Sequence, residues 1–261
     1  MASRIQIQRL KVITRNGQTA YDEYFHKGIN IIRGENSSGK STITHLLFFG
    51  LGGSYSDFVI EAKRCQYVYT QIDINGCVIT LKRELKLSDD GRVDSMVGLT
   101  IFWGDIDETL ENTCESNYFG YRATDKTKSF SNALFEIMDM PLVVGDNNIT
   151  MHQLLRLMYV DQESPTGSLF MYEQFDSQTT RETVAELLMG IYDADLYISK
   201  LNIKEYKKQL DDVSVEIKAI KTSFSRPEEC SSMFLKNTIK IKKLKLLNYR
   251  NILQKRGLDK R

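Results

Sequence analysis

One stretch of eight residues constrains the fold more than any other part of this sequence. Residues 34–41 read GENSSGKS and fit G-x-x-x-x-G-K-[ST], the pattern of a phosphate-binding P-loop. The apolar run at 28–33 predicts a short strand before the motif, and helical apolar spacing over 42–49 predicts a helix after it. The alternative is a Gly/Ser-rich turn that only caps a helix. The strand-loop-helix context favours the P-loop.

Each residue type in the motif has a chemical reason. Glycine at 34 and 39 allows positive φ and lets the backbone approach a ligand closely. Successive backbone N–H groups and the N-terminus of the following helix then attract an anion. Lys40 supplies charge to the β- and γ-phosphates, and the Ser41 hydroxyl completes a Mg²⁺ shell. We therefore predict that ATP and Mg²⁺ bind through seven residues: Asn36, Ser37, Ser38, Gly39, Lys40, Ser41 and Thr42.

Composition places the chain among ordinary globular proteins, with 261 residues, 41% hydrophobic and 26% charged. No apolar run reaches the roughly 18 residues that a membrane-spanning helix needs, and the start lacks a signal-peptide core. We therefore expect a cytoplasmic protein without a membrane partner. The four cysteines and three histidines are widely spaced, which disfavours disulfides and a metal cluster.

The net charge of +1 hides a division of the chain. Residues 196–261 carry 17 Lys and Arg against 7 Asp and Glu, whereas residues 1–195 carry 18 against 27. Within the basic part, residues 233–253 show helical apolar spacing flanked by lysines. This run is either a solvated helix face or, less favoured, a contact for nucleic acid.

Periodicity predicts the remaining elements. Period-2 or β-rich runs indicate strands, and Asn-Gly at 16–17 and 75–76 indicates tight turns between them. The predicted strands are residues 4–14, 21–25, 66–74, 76–85 and 97–103. The predicted helices are residues 129–138, 151–157 and 179–188. The polar stretch at 105–128 has no clear pattern and is left unassigned.

Two hypotheses compete at the polar loop that begins with Asp161. The apolar run 157–160 followed by Asp161 mimics a Walker-B strand, whose terminal aspartate orients Mg²⁺ through water. Alternatively, the amide of Gln162 reaches the metal and the attacking water, as a catalytic residue and metal ligand. A solvent loop without a ligand is the third possibility. We favour Gln162, because it follows the strand predicted at 157–160 and comes before the helix predicted at 179–188.

A heptad pattern begins after that helix. Apolar residues recur every seven positions, and a second set lies three positions further along, with charged residues between them. The first set is Leu196, Ile203, Leu210 and Ile217, and the second is Ser199, Tyr206, Val213 and Ile220. Such a seam predicts a coiled coil. The alternative is one long amphipathic helix packed on its own domain.

The order of these features resembles a known architecture. A strand pair, a P-loop, a β-hairpin, a glutamine loop and a coil resemble the N-terminal half of an ABC-type ATPase head of the SMC and double-strand-break-repair (SbcC-like) superfamily. The resemblance implies an α/β P-loop NTPase fold, with a β-rich subdomain and a C-terminal coiled-coil helix. It implies three parts: a head lobe at 1–190, a coiled-coil arm at 191–222, and a basic helical tail or arm continuation at 223–261.

The resemblance also implies a function. Related heads engage in pairs when ATP and Mg²⁺ bind, act on DNA in repair or chromosome maintenance, and occur in bacterial defence against invading DNA. The family completes its head with a C-terminal half that carries a signature Ser-Gly motif, a Walker-B Asp-Glu pair and a switch histidine. None of these follows residue 220. The implied partners are therefore a second head or a C-terminal half, and DNA, in a homo- or hetero-oligomer formed through head and coil.

Two other functional classes remain open at this point. One is a self-sufficient P-loop NTPase or phosphotransferase that uses Asp161. The other is a non-catalytic coiled-coil module that retains a nucleotide fold. Whether the chain is a fragment, a split subunit or a degraded product is likewise open.

Overall fold

The period-2 runs of the sequence form a six-stranded antiparallel sheet in the order β2-β1-β3-β4-β5-β6. The strands are β1 (Ile5–Thr14), β2 (Thr19–Tyr24), β3 (Cys65–Ile74), β4 (Cys77–Glu84), β5 (Leu99–Phe102) and β6 (Ser116–Phe119). The strands predicted at 4–14, 21–25, 66–74, 76–85 and 97–103 are confirmed, as β1 to β5. The structure is a computed structural model that describes residues 5–124, 127–142, 149–161 and 177–223, with Lys240, Lys243, Leu244 and Leu247.

The hairpin of β3 and β4 shows how local sequence sets the register. Asn75 and Gly76 take φ values of 54° and 92°, as a two-residue hairpin turn with matching twist requires. The carboxylate of Asp73 accepts a hydrogen bond of 2.7 Å from the backbone N–H of Gly76. The predicted Asn-Gly turn is therefore confirmed, and it pairs all of β4 with β3.

The helices also follow the sequence pattern. They are α1 (Lys40–Gly50), α2 (Ile106–Glu111), α3 (Phe130–Ile137), α4 (Met151–Met158), α5 (Gln178–Leu188) and α6 (Ala194–Ser223). The predicted cap Ser129 accepts a hydrogen bond from the backbone N–H of Asn132 at the start of α3. The unassigned stretch contains α2 and β6. These were missed because α2 has only six residues and β6 reads SNYF, a polar edge strand.

One face of the sheet packs on the helix that follows the P-loop. A bulge in β1 between Ile7 and Arg9 turns Leu10 and Val12 inward, and both are fully buried. They share a core cluster with Leu46 and Phe49 of α1. This packing holds α1, and so the loop at its N-terminus, against the sheet.

Two predicted strands are wrong. Residues 28–33 have no regular structure, and the side chains of Ile29 and Ile31 are 91% and 69% exposed. Residues 157 and 158 end α4 instead of starting a strand, and Tyr159 and Val160 have no regular structure. A strand requires a neighbour for its backbone groups, and among the described residues none pairs with either segment. The α/β prediction thus holds only as helices combined with an antiparallel sheet.

The chain divides into two compact units, Met1–Tyr192 and Asp193–Arg261. In the second unit, α6 is a single helix of 30 residues that covers the heptad region. The seam residues Ile203, Leu210 and Ile217 are half-buried, whereas most charged residues between them are exposed. A helix is therefore confirmed here, and coiled-coil pairing stays a prediction. The basic run at 233–253 lies almost entirely outside the described residues.

Of the helices that the structure describes, none combines the length and the apolar character needed to cross a bilayer.

Candidate nucleotide-binding site

The loop between residues 34 and 41 has the predicted positive φ at Gly39 but not at Gly34. Gly39 caps α1 with φ 88°, a left-handed conformation that favours glycine. At Gly34, a Cβ would lie 2.5 Å from the Oγ of Ser38, so a larger residue would require the serine side chain to move. The helix α1 starts directly at Lys40, so the N–H groups of its first turn, which lack partners within the helix, lie at the end of the loop.

Lys40 folds back over this loop. Its Nζ donates hydrogen bonds to the carbonyl oxygens of Gly34 at 2.9 Å and Glu35 at 2.6 Å. The first turn of α1 contains no acidic residue. A lysine charge, a helix N-terminus and the absence of a nearby helix carboxylate together make the loop attractive to an anion.

All seven predicted ligand-binding residues line one open cavity of about 970 Å³. Its other walls come from the β1–β2 hairpin and from the segment that leads into β3. They include Val12, Ala20, Tyr21, Val59, Glu61, Ala62 and Cys65. Ser41 lies among the lining residues, where its hydroxyl fits the oxygen ligand that Mg²⁺ prefers. The donor set thus fits a polyphosphate with Mg²⁺.

Asp161 lies beside His45 of α1. Its Oδ2 is 3.9 Å from Nε2 of His45, and each side chain is 19% exposed. The His45 ring stacks on Tyr55 with ring centroids 4.2 Å apart. Asp161 is not among the residues lining the P-loop cavity. It lies instead beside His45, near the middle of α1.

The chain reaches Asp161 along the same helix. The Tyr159 ring packs on Phe48 of α1 with centroids 4.7 Å apart. Phe48 and His45 are three positions apart, so they share one face of α1. The segment 159–161 therefore runs beside the P-loop helix and ends at Asp161. Gln162, the predicted catalytic and metal-binding residue, lies outside the described residues.

Arg83 supports the helix that follows the P-loop, and the sequence analysis did not predict this role. It is fully buried, and its Nη1 donates to the carbonyl oxygens of Phe49 and Gly53 at 2.8 and 2.7 Å. Its Nη2 donates to the carbonyls of Ser95 and Val97 at 2.8 and 3.2 Å. Burial lowers the pKa of Arg83 to about 10. The side chain thus anchors the C-terminal end of α1.

The signal for Arg83 was present in the sequence. In β4, alternate residues face the core, and Ile79 and Leu81 are the two inward residues before Arg83. The alternation places an arginine inside the sheet, where a charge needs several hydrogen-bond partners. Its guanidinium also lies over the Phe49 ring at 4.1 Å.

The hairpin wall of the cavity is held by an ion pair. Arg9 donates two hydrogen bonds to Asp22 through Nε and Nη2, at 2.7 and 3.0 Å, and a third to Asp107 at 2.8 Å. The hydrogen bonds from Arg9 lower the pKa of Asp22. This pairing adds stability above the ordinary pKa of Asp22 that is lost as the pH falls through the lowered value. It fixes β2, the strand that carries Tyr21, beside β1.

Comparison with known proteins agrees with this geometry. The model of a family described as "AAA domain" matches residues 4–256. The chain is also similar to a protein of Methanocaldococcus jannaschii named DNA double-strand break repair Rad50 ATPase. The two are 28% identical over 200 residues, which cover 74% of this chain and 16% of the relative. The chain thus spans about a sixth of that relative's length. Both findings confirm the predicted resemblance to the N-terminal half of an SMC- or Rad50-like ATPase head.

Proposed function

The chain belongs to the AAA domain family, and from that membership we propose that it is the ATP-binding half of an SMC-like ATPase head. In this proposal it acts on DNA in the cytoplasm, in repair, chromosome maintenance or defence against invading DNA. It hydrolyses ATP only when a second half or head completes the site. The observation that carries the proposal is the single cavity lined by all seven P-loop residues.

Exposed apolar segments support the need for a second half. Ile29 and Ile31 are exposed directly before the P-loop, and Met158 and Val160 are exposed directly before Asp161. Both segments are apolar enough to read as strands, yet no strand of the described residues lies beside them. A second half that supplies neighbouring strands would cover these side chains and satisfy the backbone. The matched stretch makes up only 16% of the relative, which leaves room in that protein for such a half.

Different residues of this chain would bind different parts of Mg-ATP. Lys40 and the backbone N–H groups before α1 would hold the β- and γ-phosphates in position. The Ser41 hydroxyl would bind Mg²⁺, which neutralises phosphate charge when present. We assign to Gln162 the contact with the metal and the attacking water. The second half would supply the acidic residue that activates this water.

We expect the purified chain to bind Mg-ATP without sustained turnover. The reason is that the described residues lining the cavity include no aspartate, and their one glutamate, Glu61, lies outside the P-loop. Asp161→Asn should leave Mg-ATP affinity within about twofold of wild type, because Asp161 pairs with His45. Gln162→Ala should weaken Mg-ATP binding several-fold while leaving Mg-ADP binding unchanged. Calorimetry measures these affinities, and a phosphate-release assay measures turnover.

Robust turnover by the chain alone, lost in Asp161→Asn, would instead establish the self-sufficient NTPase. Neither binding nor turnover would favour the non-catalytic module. Asp57→Asn, an exposed carboxylate outside the P-loop cavity, serves as the matched control for removing a charge.

The seam of α6, half-buried at Ile203, Leu210 and Ile217, leads to a separate expectation about partners. We propose that this seam pairs with another helix, and Leu210 lies at its centre. Leu210→Asp should weaken association about tenfold or more, because each buried leucine contributes roughly 1.5–3 kcal/mol. Sedimentation equilibrium of the chain at several concentrations measures this effect. Val215→Asp is the control, since Val215 is 64% exposed and off the seam.

A wild-type chain that stays monomeric at every concentration, alone and with a candidate C-terminal half, would contradict the pairing. In either case Mg-ATP affinity should not change in Leu210→Asp, because that residue lies outside the unit that contains the P-loop.

A further inference from the structure

The three residues 159–161 follow α4, and His45 of the P-loop helix contacts the first and the last of them. The His45 and Tyr159 rings form a tilted pair with centroids 6.2 Å apart. Nε2 of His45 lies 3.9 Å from Oδ2 of Asp161, within the range of an ion pair when the imidazole is protonated. One side chain of α1 therefore holds both ends of a segment that has no regular structure of its own.

The His45 side chain is itself supported by the core. Its ring stacks on Tyr55 with centroids 4.2 Å apart and the ring planes inclined by 28°. Tyr55 packs edge-on against Phe58 at 4.8 Å, and Phe58 is a buried member of the core cluster. Aromatic pairs at these distances attract each other beyond the effect of their buried area. The core thus fixes the ring that contacts residues 159–161.

Both ends of α4, the helix that leads into this segment, contact α1. At its start, Nδ1 of His152 accepts a hydrogen bond of 3.0 Å from the backbone N–H of Ser54, and the His152 ring meets Phe48 of α1 edge-on at 5.8 Å. After its last residue, Tyr159 packs on the same Phe48 ring. The position of residues 159–161 therefore depends on α1.

The same helix carries the predicted metal ligand Ser41. His45 lies four positions after Ser41, and residues at that spacing are neighbours on one face of a helix. Ser41 lines the P-loop cavity, whereas His45 is not among the lining residues. The contacts of His45 are with the segment before Gln162, one helical turn from the serine.

We propose that His45 is a positioning residue that sets Gln162 relative to Ser41 and the metal. The inference rests on the proposed function, which assigns to Gln162 the contact with the metal and the attacking water. His45 anchors Tyr159 and Asp161, and Gln162 follows Asp161 directly in the chain. The helix that carries one metal ligand thereby also places the other.

The test measures dissociation constants for Mg-ATP and Mg-ADP by calorimetry. His45→Ala should weaken Mg-ATP binding about fivefold, because it removes the ring contacts that anchor the segment. Mg-ADP affinity should stay within about twofold of wild type, as expected for Gln162→Ala. His45→Phe keeps the ring and should restore Mg-ATP affinity to within about twofold. His45→Leu, which fills more volume than alanine without a ring, should repeat the pattern of His45→Ala and replaces it if that variant unfolds.

A double variant separates positioning from packing. His45→Ala combined with Gln162→Ala should bind Mg-ATP no more weakly than Gln162→Ala alone, because displacing the segment has no further effect once the glutamine is absent. A purely structural role would lower the affinity for both nucleotides, and its effect would add to that of Gln162→Ala. His26→Ala is the control and should bind like wild type, since His26 is an exposed histidine outside the cavity.

Three results would overturn the inference: His45→Ala binding Mg-ATP like wild type, equal losses for Mg-ATP and Mg-ADP, or additive effects in the double variant. If Gln162→Ala weakens Mg-ATP binding alone in the same experiment, the proposed function stands in each of these cases. A wild-type chain that binds neither nucleotide would contradict the proposed function itself. Gln162→Ala that binds Mg-ATP like wild type would contradict the role of Gln162, and the inference with it.

Discussion

Lys40→Ala is expected to reduce Mg-ATP affinity by about 100-fold or more, to the limit of calorimetric detection. The variant removes the one positively charged side chain of residues 34–41. Hydrogen bonds to charged groups contribute roughly 1.5–3 kcal/mol each, and Lys40 can donate to two phosphates at once. The same Nζ holds the carbonyls of Gly34 and Glu35, so its loss also loosens the loop.

A measurement of unfolding stability should separate the loss of phosphate binding in Lys40→Ala from any loss of structure. Lys40 lies at the N-terminal end of α1, outside the buried core cluster, so Lys40→Ala should shift the unfolding midpoint only slightly. Lys27→Ala, which removes an exposed lysine outside the cavity, should leave affinity unchanged. Equal Mg-ATP affinities of Lys40→Ala and wild type would remove the basis for placing the phosphates at this loop.

The sequence was sufficient to predict those features whose stabilising interactions are local. The Asn75-Gly76 turn, the Ser129 cap and the left-handed conformation of Gly39 each depend on interactions within a few residues along the chain. Their geometry therefore followed from residue type and spacing. The seven residues of the P-loop are consecutive, which is why the sequence could place them together on one cavity.

Long-range interactions explain the failures. The segments at 28–33 and 157–160 have strand-like composition, but a strand forms only beside another strand. No such neighbour lies beside either segment in the described residues. The assignment of Gln162 over Asp161 used that strand, so it now depends on the pairing of Asp161 with His45. The contact of His45 with Asp161 was not anticipated, because only the fold brings these distant positions together.

Arg83→Met is expected to cost about 3–5 kcal/mol of unfolding free energy, the range for breaking a buried, hydrogen-bonded charge network. Methionine fills much of the volume but donates no hydrogen bond, so four carbonyl groups lose a donor. Two of these carbonyls, of Phe49 and Gly53, are at the end of α1. Urea unfolding followed by circular dichroism measures the change.

Arg83→Lys distinguishes charge from geometry. Lysine keeps the charge but lacks the planar fork that reaches carbonyls on both sides, so an intermediate loss is expected. Arg92→Met is the matched control, because Arg92 is a solvent-exposed arginine and its loss should change stability by about 0.5 kcal/mol or less.

The pH dependence gives an independent check on Arg83. Burial lowers its pKa to about 10, below the value in the unfolded chain, so the folded protein loses this proton first as the pH rises. Stability from this group would then increase only above about pH 10, and it stays constant below that. The difference between Arg83→Met and wild type should therefore be the same across about pH 6–9. A difference that disappears within this range would show that another titrating group, not the carbonyl anchorage of α1, accounts for the loss.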